Sequence, residues 1–167
     1  MYFKALPKMY YPYSGTQTIV PDIFRRVHLD KFFQNKLTLQ SYYINDGETP
    51  EMVADKFYGS SKYHWLVIIC NSIADVQREW PISQRALVKY VNEKYGSDNR
   101  TDVHHYVMAE DTDVVVDWDT VKVASGDYKA VTNMDYESDL NDKKRQIHLL
   151  RNEFLRDITA QYFRLVK

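Results

Sequence analysis

Between Tyr43 and Asn71 the chain carries a run of local signals that leaves few folds open. Leu39 to Ile44 reads as a strand, and Asp46-Gly47 as a tight turn after it. Thr49 can accept a hydrogen bond from a free amide at a helix start, and Pro50 costs little there because its missing N–H would be unpaired anyway. Met52, Val53 and Phe57 recur at helical spacing and are expected to form the buried face. Gly59 supplies the left-handed residue that ends this helix, and Ser60 or Ser61 can cap a second one. That second helix carries Trp65, Leu66 and Ile69, is apolar nearly all round with Val67, Ile68 and Cys70, and ends at Asn71. Such a helix is either the centre of a core or covered by another chain.

The flanks are less regular. Pro7, Pro12 and Pro21 interrupt the first 21 residues, among which Tyr10, Tyr11 and Tyr13 cluster. Prolines so spaced disfavour a continuous helix or a central strand, so an extended arm is expected, ordered against a partner or, as the alternative, lying back on its own domain. Asp22-Ile23-Phe24-Arg25-Arg26 follows as a short apolar anchor with basic residues, then a helical turn or two in Leu29 to Asn35. Beyond the central run, Trp80-Pro81 leads into a helix from Gln84 to Lys94, capped by Ser83 and stopped near Gly96. Ser97 to Asp102 is a polar loop. Strands are expected at Tyr106 to Met108, Val114 to Val116 and Thr120 to Ala124, with Ser125-Gly126-Asp127 turning a hairpin into Tyr128 to Val131. Asp135 to Lys144 reads as a linker or short helix and Ile147 to Leu150 as a strand. Asn152 is placed to cap a last helix reaching Val166, striped by Phe154, Ile158, Tyr162 and Leu165. The organisation expected is an arm and anchor over 1–38, a core with its following helix over 39–96, and a C-terminal extension over 97–167.

Charge and composition narrow the function classes. Lys and Arg number 22 and Asp and Glu 23, a net charge of −1 that offers no overall attraction for nucleic acid or anionic membrane. The single cysteine, Cys70, cannot pair internally and suits a reducing cytosol; ending an apolar run, it is expected to be a buried inert thiol. The N-terminus lacks an apolar signal core, and the run Trp65 to Cys70 is far short of the roughly 20 residues that cross a bilayer. A soluble chain made in the cytosol is expected. The 14 tyrosines are the one oddity, and tyrosine is favoured at interfaces for its large apolar ring and polar tip.

Catalytic and metal patterns are weak. His104 and His105 are neighbours that point to opposite faces of a strand, and His28, His64 and His148 lie in separate segments. Glu110, Asp111, Asp113, Asp117 and Asp119 alternate with Val114, Val115 and Val116 as a strand between solvated turns would, without calcium-loop spacing. Phosphate loops, dinucleotide fingerprints and serine elbows do not occur. No enzyme, cofactor or metal is expected. The aromatic set Tyr58, Tyr63, Trp65 and Trp80, bracketing the helix pair, is the more informative constellation.

The order strand, turn, helix, helix resembles a LysM module. In the variant found here Phe57-Tyr58-Gly59 is followed by His64-Trp65, then Asn71, Asp75 and Trp80-Pro81, a helix ending in Tyr95-Gly96, and Lys143-Lys144-Arg145-Gln146-Ile147 leading to Phe154. With Asp22-Ile23-Phe24-Arg25 ahead of it, this order resembles the LysM-like baseplate wedge subunit, wedge protein 53, of contractile-tailed bacteriophages. The resemblance implies an α+β fold: a LysM-like βααβ core, an extended N-terminal arm, and a C-terminal β-hairpin plus helix. It also implies a virion structural protein of the tail baseplate, made in the host cytoplasm, that links neighbouring wedges around the hub. Its partners would be other wedge subunits and the sheath-initiator subunit, with no nucleic acid and no membrane. Interface candidates are Tyr10, Tyr11, Tyr13, Phe24, Arg25, Arg26, Tyr58, Trp65 and Trp80. The alternative is a peptidoglycan-binding LysM module, whose sugar groove would fall at Asp46, Gly47, Glu48, Thr49 and Asn71.

Overall fold

A computed structural model describes residues 6–23 and 37–166. In chain order the elements are β1 (Lys8–Tyr13), β2 (Thr16–Pro21), β3 (Leu39–Tyr43), α1 (Pro50–Tyr58), α2 (His64–Cys70), α3 (Val76–Glu79), α4 (Gln84–Tyr95), β4 (Val103–Met108), β5 (Val115–Val116), α5 (Thr120–Ser125), β6 (Tyr128–Thr132), α6 (Asn133–Asp142), β7 (Gln146–Leu150) and α7 (Leu155–Val166). The fold is α+β. Of the described residues, one compact unit holds 6–23, 37–43, 48–77 and 147–166, and a second holds 44–47 and 78–146. The units are discontinuous in sequence, where the sequence suggested contiguous blocks.

In the first unit β3 pairs with β7. The N–H of Arg151 donates to the carbonyl of Thr38 at 2.9 Å, and that of Ile44 to Arg145 at 2.9 Å, so the strands run antiparallel. A two-stranded sheet leaves the far edge of β7 open, and the end of α2 closes it. The Asn71 side chain donates to the carbonyls of Val67 and His148, each at 2.8 Å, and accepts from the His148 N–H at 2.7 Å. One amide thus serves as a substitute peptide for an edge that has no third strand. The Leu150 main chain hydrogen-bonds the Cys70 thiol in the same row.

Helix α1 starts as expected: Thr49 accepts from Met52 N–H at 3.4 Å, and Gly59 closes the end at φ +73°. Its buried residues are Pro50, Val53, Ala54 and Tyr58, whereas Met52 is exposed. The inward stripe is rotated from the expected one because Val53, Ala54, Phe57 and Tyr58 form the i, i+1, i+4, i+5 face. The second helix divides into a 3-10 turn, Ser61–Tyr63, capped by Ser60, and then α2. Asn152 does not cap α7; its side chain donates to the Phe57 carbonyl at 3.1 Å, satisfying an open end of α1. Ile158 and Tyr162 of α7 are buried, with Tyr162 against Trp65 at 4.2 Å between ring centroids, while Leu165 is exposed.

The second unit joins α4 and α6 to a three-stranded sheet ordered β5-β4-β6, all antiparallel. Leu87, Val91, Val107 and Trp80 are buried. Ser83 caps α4 through Ala86 N–H as the sequence suggests. Thr120 to Ala124 is helix, not strand. The Asp119 carboxylate accepts from Val121 and Lys122 N–H at 2.8 and 3.1 Å, and those capped amides nucleate a helical turn that Gly126, left-handed at φ +83°, terminates. The expected C-terminal hairpin is therefore replaced by the path β5, α5, β6. Asp135 to Lys144 lies mainly in α6, started by a reciprocal capping box between Thr132 and Asp135.

Two polar groups organise this unit. Asn141, buried, accepts from Ile82 N–H at 2.9 Å and donates to the Ile82 carbonyl at 3.0 Å, repeating the substitute-peptide arrangement of Asn71. Arg145, also buried, donates to Asp142 at 2.8 Å, Asp46 at 3.1 Å and the Ile44 carbonyl at 3.3 Å. Asp46 additionally accepts from Gln84 N–H at 2.9 Å, and that bond first, then Arg145, holds its carboxyl below the usual 3.8. Buried Glu137 accepts from Lys94 at 2.6 Å and from the Tyr95 hydroxyl at 2.9 Å, which keeps the Lys94 ammonium charged well above its ordinary range.

Asn71→Ala should cost about 1–2 kcal/mol in urea unfolding, the usual loss for several hydrogen bonds to partly exposed backbone. Asn71→Asp should cost more, since it sets a carboxylate against the two carbonyls; equal costs would show that the amide donor is not engaged. Asp46, with a depressed carboxyl, contributes stability above its unfolded value of 3.8 that is lost as pH falls through its folded value. Asp46→Asn should therefore lower stability near neutrality, where the contribution of the carboxylate is fully present, and flatten the acid limb of the stability profile below pH about 4.

Candidate functional site

The N-terminal segment is a hairpin, not a single extended arm. β1 and β2 pair in the register Tyr10↔Ile19, Tyr11↔Thr18 and Pro12↔Gln17 around Ser14-Gly15, whose φ values of +50° and +80° fit the two-residue turn that matches strand twist. The ladder phase follows from Asp22 N–H donating to the Pro7 carbonyl at 2.8 Å. In that phase Pro12 and Pro21 both fall where the backbone nitrogen faces away from the partner strand, so neither removes a ladder bond. Prolines that rule out a central strand are thus compatible with this isolated pair.

Pleating sends Met9, Tyr11, Tyr13 and Val20 to one face and Tyr10, Pro12 and Ile19 to the other. Both faces are open: Tyr10 is 68% exposed, Tyr13 69%, and Tyr11 and Ile19 more than half. No charged residue lies between Met9 and Pro21. A lone two-stranded hairpin is marginal in water, and an exposed uncharged aromatic one is a surface that gains by being covered.

The remaining candidates separate. Phe24, Arg25 and Arg26 lie outside the described residues, as does the expected helical turn at Leu29 to Asn35. Tyr58 and Trp65 are buried in the first unit and Trp80 in the second, leaving little ring surface for another chain. Tyr58 packs edge-on against Phe57 and Tyr63, and burial pushes its phenol far up. The polar groups of the expected sugar groove are occupied by the chain's own structure. Glu48 is buried and takes bonds from Lys56 and, at 3.0 Å, the Tyr42 hydroxyl; Thr49 caps α1; Asn71 clasps β7. In the second unit Asp46 holds Gln84 and Arg145, while Gly47 makes the turn at φ +75°.

No group of three or more potential metal ligands occurs among the described residues, and no helix there is long and apolar enough to cross a membrane. His104 stacks on Tyr136 at 4.0 Å and meets His105 Nδ1 to Nδ1 at 2.9 Å. A hollow of about 570 Å³ beside His105 and Tyr136 has Asp113, Asp135, Asp139, Lys129 and Lys143 on its walls, a lining of mixed charge. What sequence reasoning missed is Trp118, 64% exposed between β5 and α5. Its signal is present in retrospect: a tryptophan between Asp117 and Asp119 has no apolar periodicity to carry it inward.

The aromatic side chains thus divide between the core and an exposed set on the hairpin and at Trp118. The family model for base plate wedge protein 53 matches residues 12–144. The chain belongs to that family. It is also similar to the baseplate wedge protein gp53 of Enterobacteria phage T4, 32% identical over 77 residues, which are 44% of this chain and 38% of that protein. The alignment therefore spans well under half the length of the relative. Membership places the chain among structural proteins of the phage tail baseplate.

Cys70 is the one nucleophile of note. Burial pushes its thiol up to about 12, so native protein should react with a thiol reagent at neutral pH far more slowly than denatured protein. Comparable rates would show that the end of α2 opens readily.

Proposed function

We propose that this chain is a joint of the baseplate wedge: a non-catalytic subunit that links wedge core proteins and neighbouring wedges around the tail hub. The observation that carries this reading is the β1–β2 hairpin, with tyrosines open on both faces and no charged side chain from Met9 to Pro21. Binding energy would come from burying those rings, since aromatic anchors dominate interfaces. Other wedge subunits and the sheath-initiator subunit are the proposed partners, and the tail baseplate of the virion, assembled from chains made in the host cytoplasm, is the proposed location. Arg25 and Arg26, which follow the hairpin in sequence, are proposed to add contacts to it.

The core is read as LysM-like. β3, α1, α2 and β7 follow one another as βααβ, with residues 71–145 inserted between the second helix and the closing strand. A sugar-binding use of that scaffold is disfavoured because Glu48, Thr49 and Asn71 spend their polar atoms on their own backbone and neighbours.

Deleting residues 1–21 should leave a folded chain that fails to enter the wedge when mixed with the other wedge subunits. Tyr10→Ser with Tyr13→Ser should weaken entry in the same direction while leaving thermal unfolding unchanged. Normal assembly of both variants would remove the hairpin from the docking role, and retention of wild-type chain on insoluble peptidoglycan would favour a glycan-binding module.

A further inference from the structure

Charge is sharply segregated along this nearly neutral chain. Residues 101–142 hold 11 Asp and Glu against 2 Lys and Arg, a net of −9, whereas residues 143–167 hold 7 Lys and Arg against 2 Asp and Glu, a net of +5. Each tract carries an exposed apolar feature. In the acidic tract these are Val115, Trp118 and, 75% exposed, Val121, all within a short stretch that also exposes Asp113, Asp117 and Asp119. Monomer surfaces seldom leave a tryptophan open beside two valines without a use.

The basic tract carries the matching shape. On α7, Arg156, Ala160, Phe163 and Arg164 recur at i, i+4, i+7 and i+8 and are all exposed, so they form one outward stripe opposite the buried Ile158 and Tyr162. Beside this stripe Tyr63, Asn152, Leu155, Arg156 and Thr159 enclose a shallow hollow of about 380 Å³, ample for an indole ring. Alongside the Asn152 amide and the Thr159 hydroxyl, its wall offers an aromatic ring, an aliphatic side chain and a guanidinium, groups that suit the face and edge of a tryptophan.

We propose that copies of this chain associate head to tail, Trp118 of one copy seating in the Tyr63–Leu155–Arg156 hollow of the next. Asp117 and Asp119 of the first copy then meet Arg156 and Arg164 of the second. The contact is heterologous, joining two different surfaces, so it propagates from copy to copy, giving a ring where the rotation closes and an open filament where it does not. It uses neither face of the hairpin and stands or falls separately from hairpin docking.

The test is sedimentation velocity of the purified full chain. Wild type should show concentration-dependent association at about 50 mM salt that collapses toward monomer at about 500 mM, since exposed ion pairs are screened over that range. Trp118→Ser and the double change Arg156→Glu with Arg164→Glu should each weaken association by roughly tenfold or more, with unchanged circular dichroism and melting because all three side chains are exposed. Mixing the two variants is the decisive step. Each keeps the half the other has lost, so together they should give a one-to-one dimer and nothing larger. A wild-type chain that stays monomeric at low salt overturns the proposal, as does association that the variants leave intact. Failure of the mixed variants to pair while wild type associates overturns it too, because a symmetric contact would then be at work.

Discussion

The fold depends on two asparagines that do the work of peptide groups. Short strands and tight turns leave backbone N–H and C=O groups with no neighbouring strand, and each group left unpaired away from water costs about as much as a lost hydrogen bond. Asn71 meets both groups of His148, and Asn141 both groups of Ile82, each with one donor and one acceptor in the geometry of a ladder rung. Only an amide offers donor and acceptor side by side; aspartate offers acceptors alone, and leucine neither. Arg145 extends the same logic, tying the Ile44 carbonyl and the Asp46 side chain to the end of α6 at the entry to β7. β7 is therefore secured by side chains at least as much as by its one partner strand.

This economy bears on what the surface is free to do. Aromatic residues divide into two populations. Trp65, Tyr162, Tyr58 and Trp80 are buried, and Trp65 with Tyr162 ties α7 to α2. The hairpin tyrosines and Trp118 are open. A chain that needed all its rings for a core would show the first population alone. Exposed aromatic patches of this kind incur solubility risk, and such patches commonly mark interaction surfaces.

Sequence alone disclosed the elements whose signals are local. Thr49-Pro50 and Gly59 bracket α1, and Ser83 starts α4, because caps act within one turn of the residue that makes them. Thr120 to Ala124 misled for the opposite reason: Thr-Val-Lys-Val alternates like a strand, and only the Asp119 side chain, bonding two amides at once, decides for helix. The hairpin was hidden because three prolines argue against a strand unless their ladder phase is known, and phase is a property of the pair rather than of either segment. The rotated face of α1, with Met52 out and Ala54 in, depends on where β3 and β7 lie, which no spacing reveals. The clustering of Tyr10, Tyr11 and Tyr13 is visible in the sequence, and the structure adds that all three are exposed. The engaged state of Asn71 and Glu48 was not legible there, since their partners His148 and Lys56 are set by the fold.

The closing strand gives the deepest reason for the difference between this chain and a free-standing sugar-binding βααβ unit. In such a unit the second strand would follow the second helix directly, and the loop between them would be short and open to a ligand. Here 75 residues separate Cys70 from Gln146, and the position after α2 is occupied by Asn71 gripping β7. A ligand seeking that amide would have to displace three hydrogen bonds of 2.7–2.8 Å, two of them to His148 of β7 and one to Val67 of α2. Binding there would be opposed by local unfolding of the strand edge, so the same residue cannot serve both ends well. The polar atoms after α2 are thus committed to holding β7, while the hairpin tyrosines and Trp118 are left on the outside.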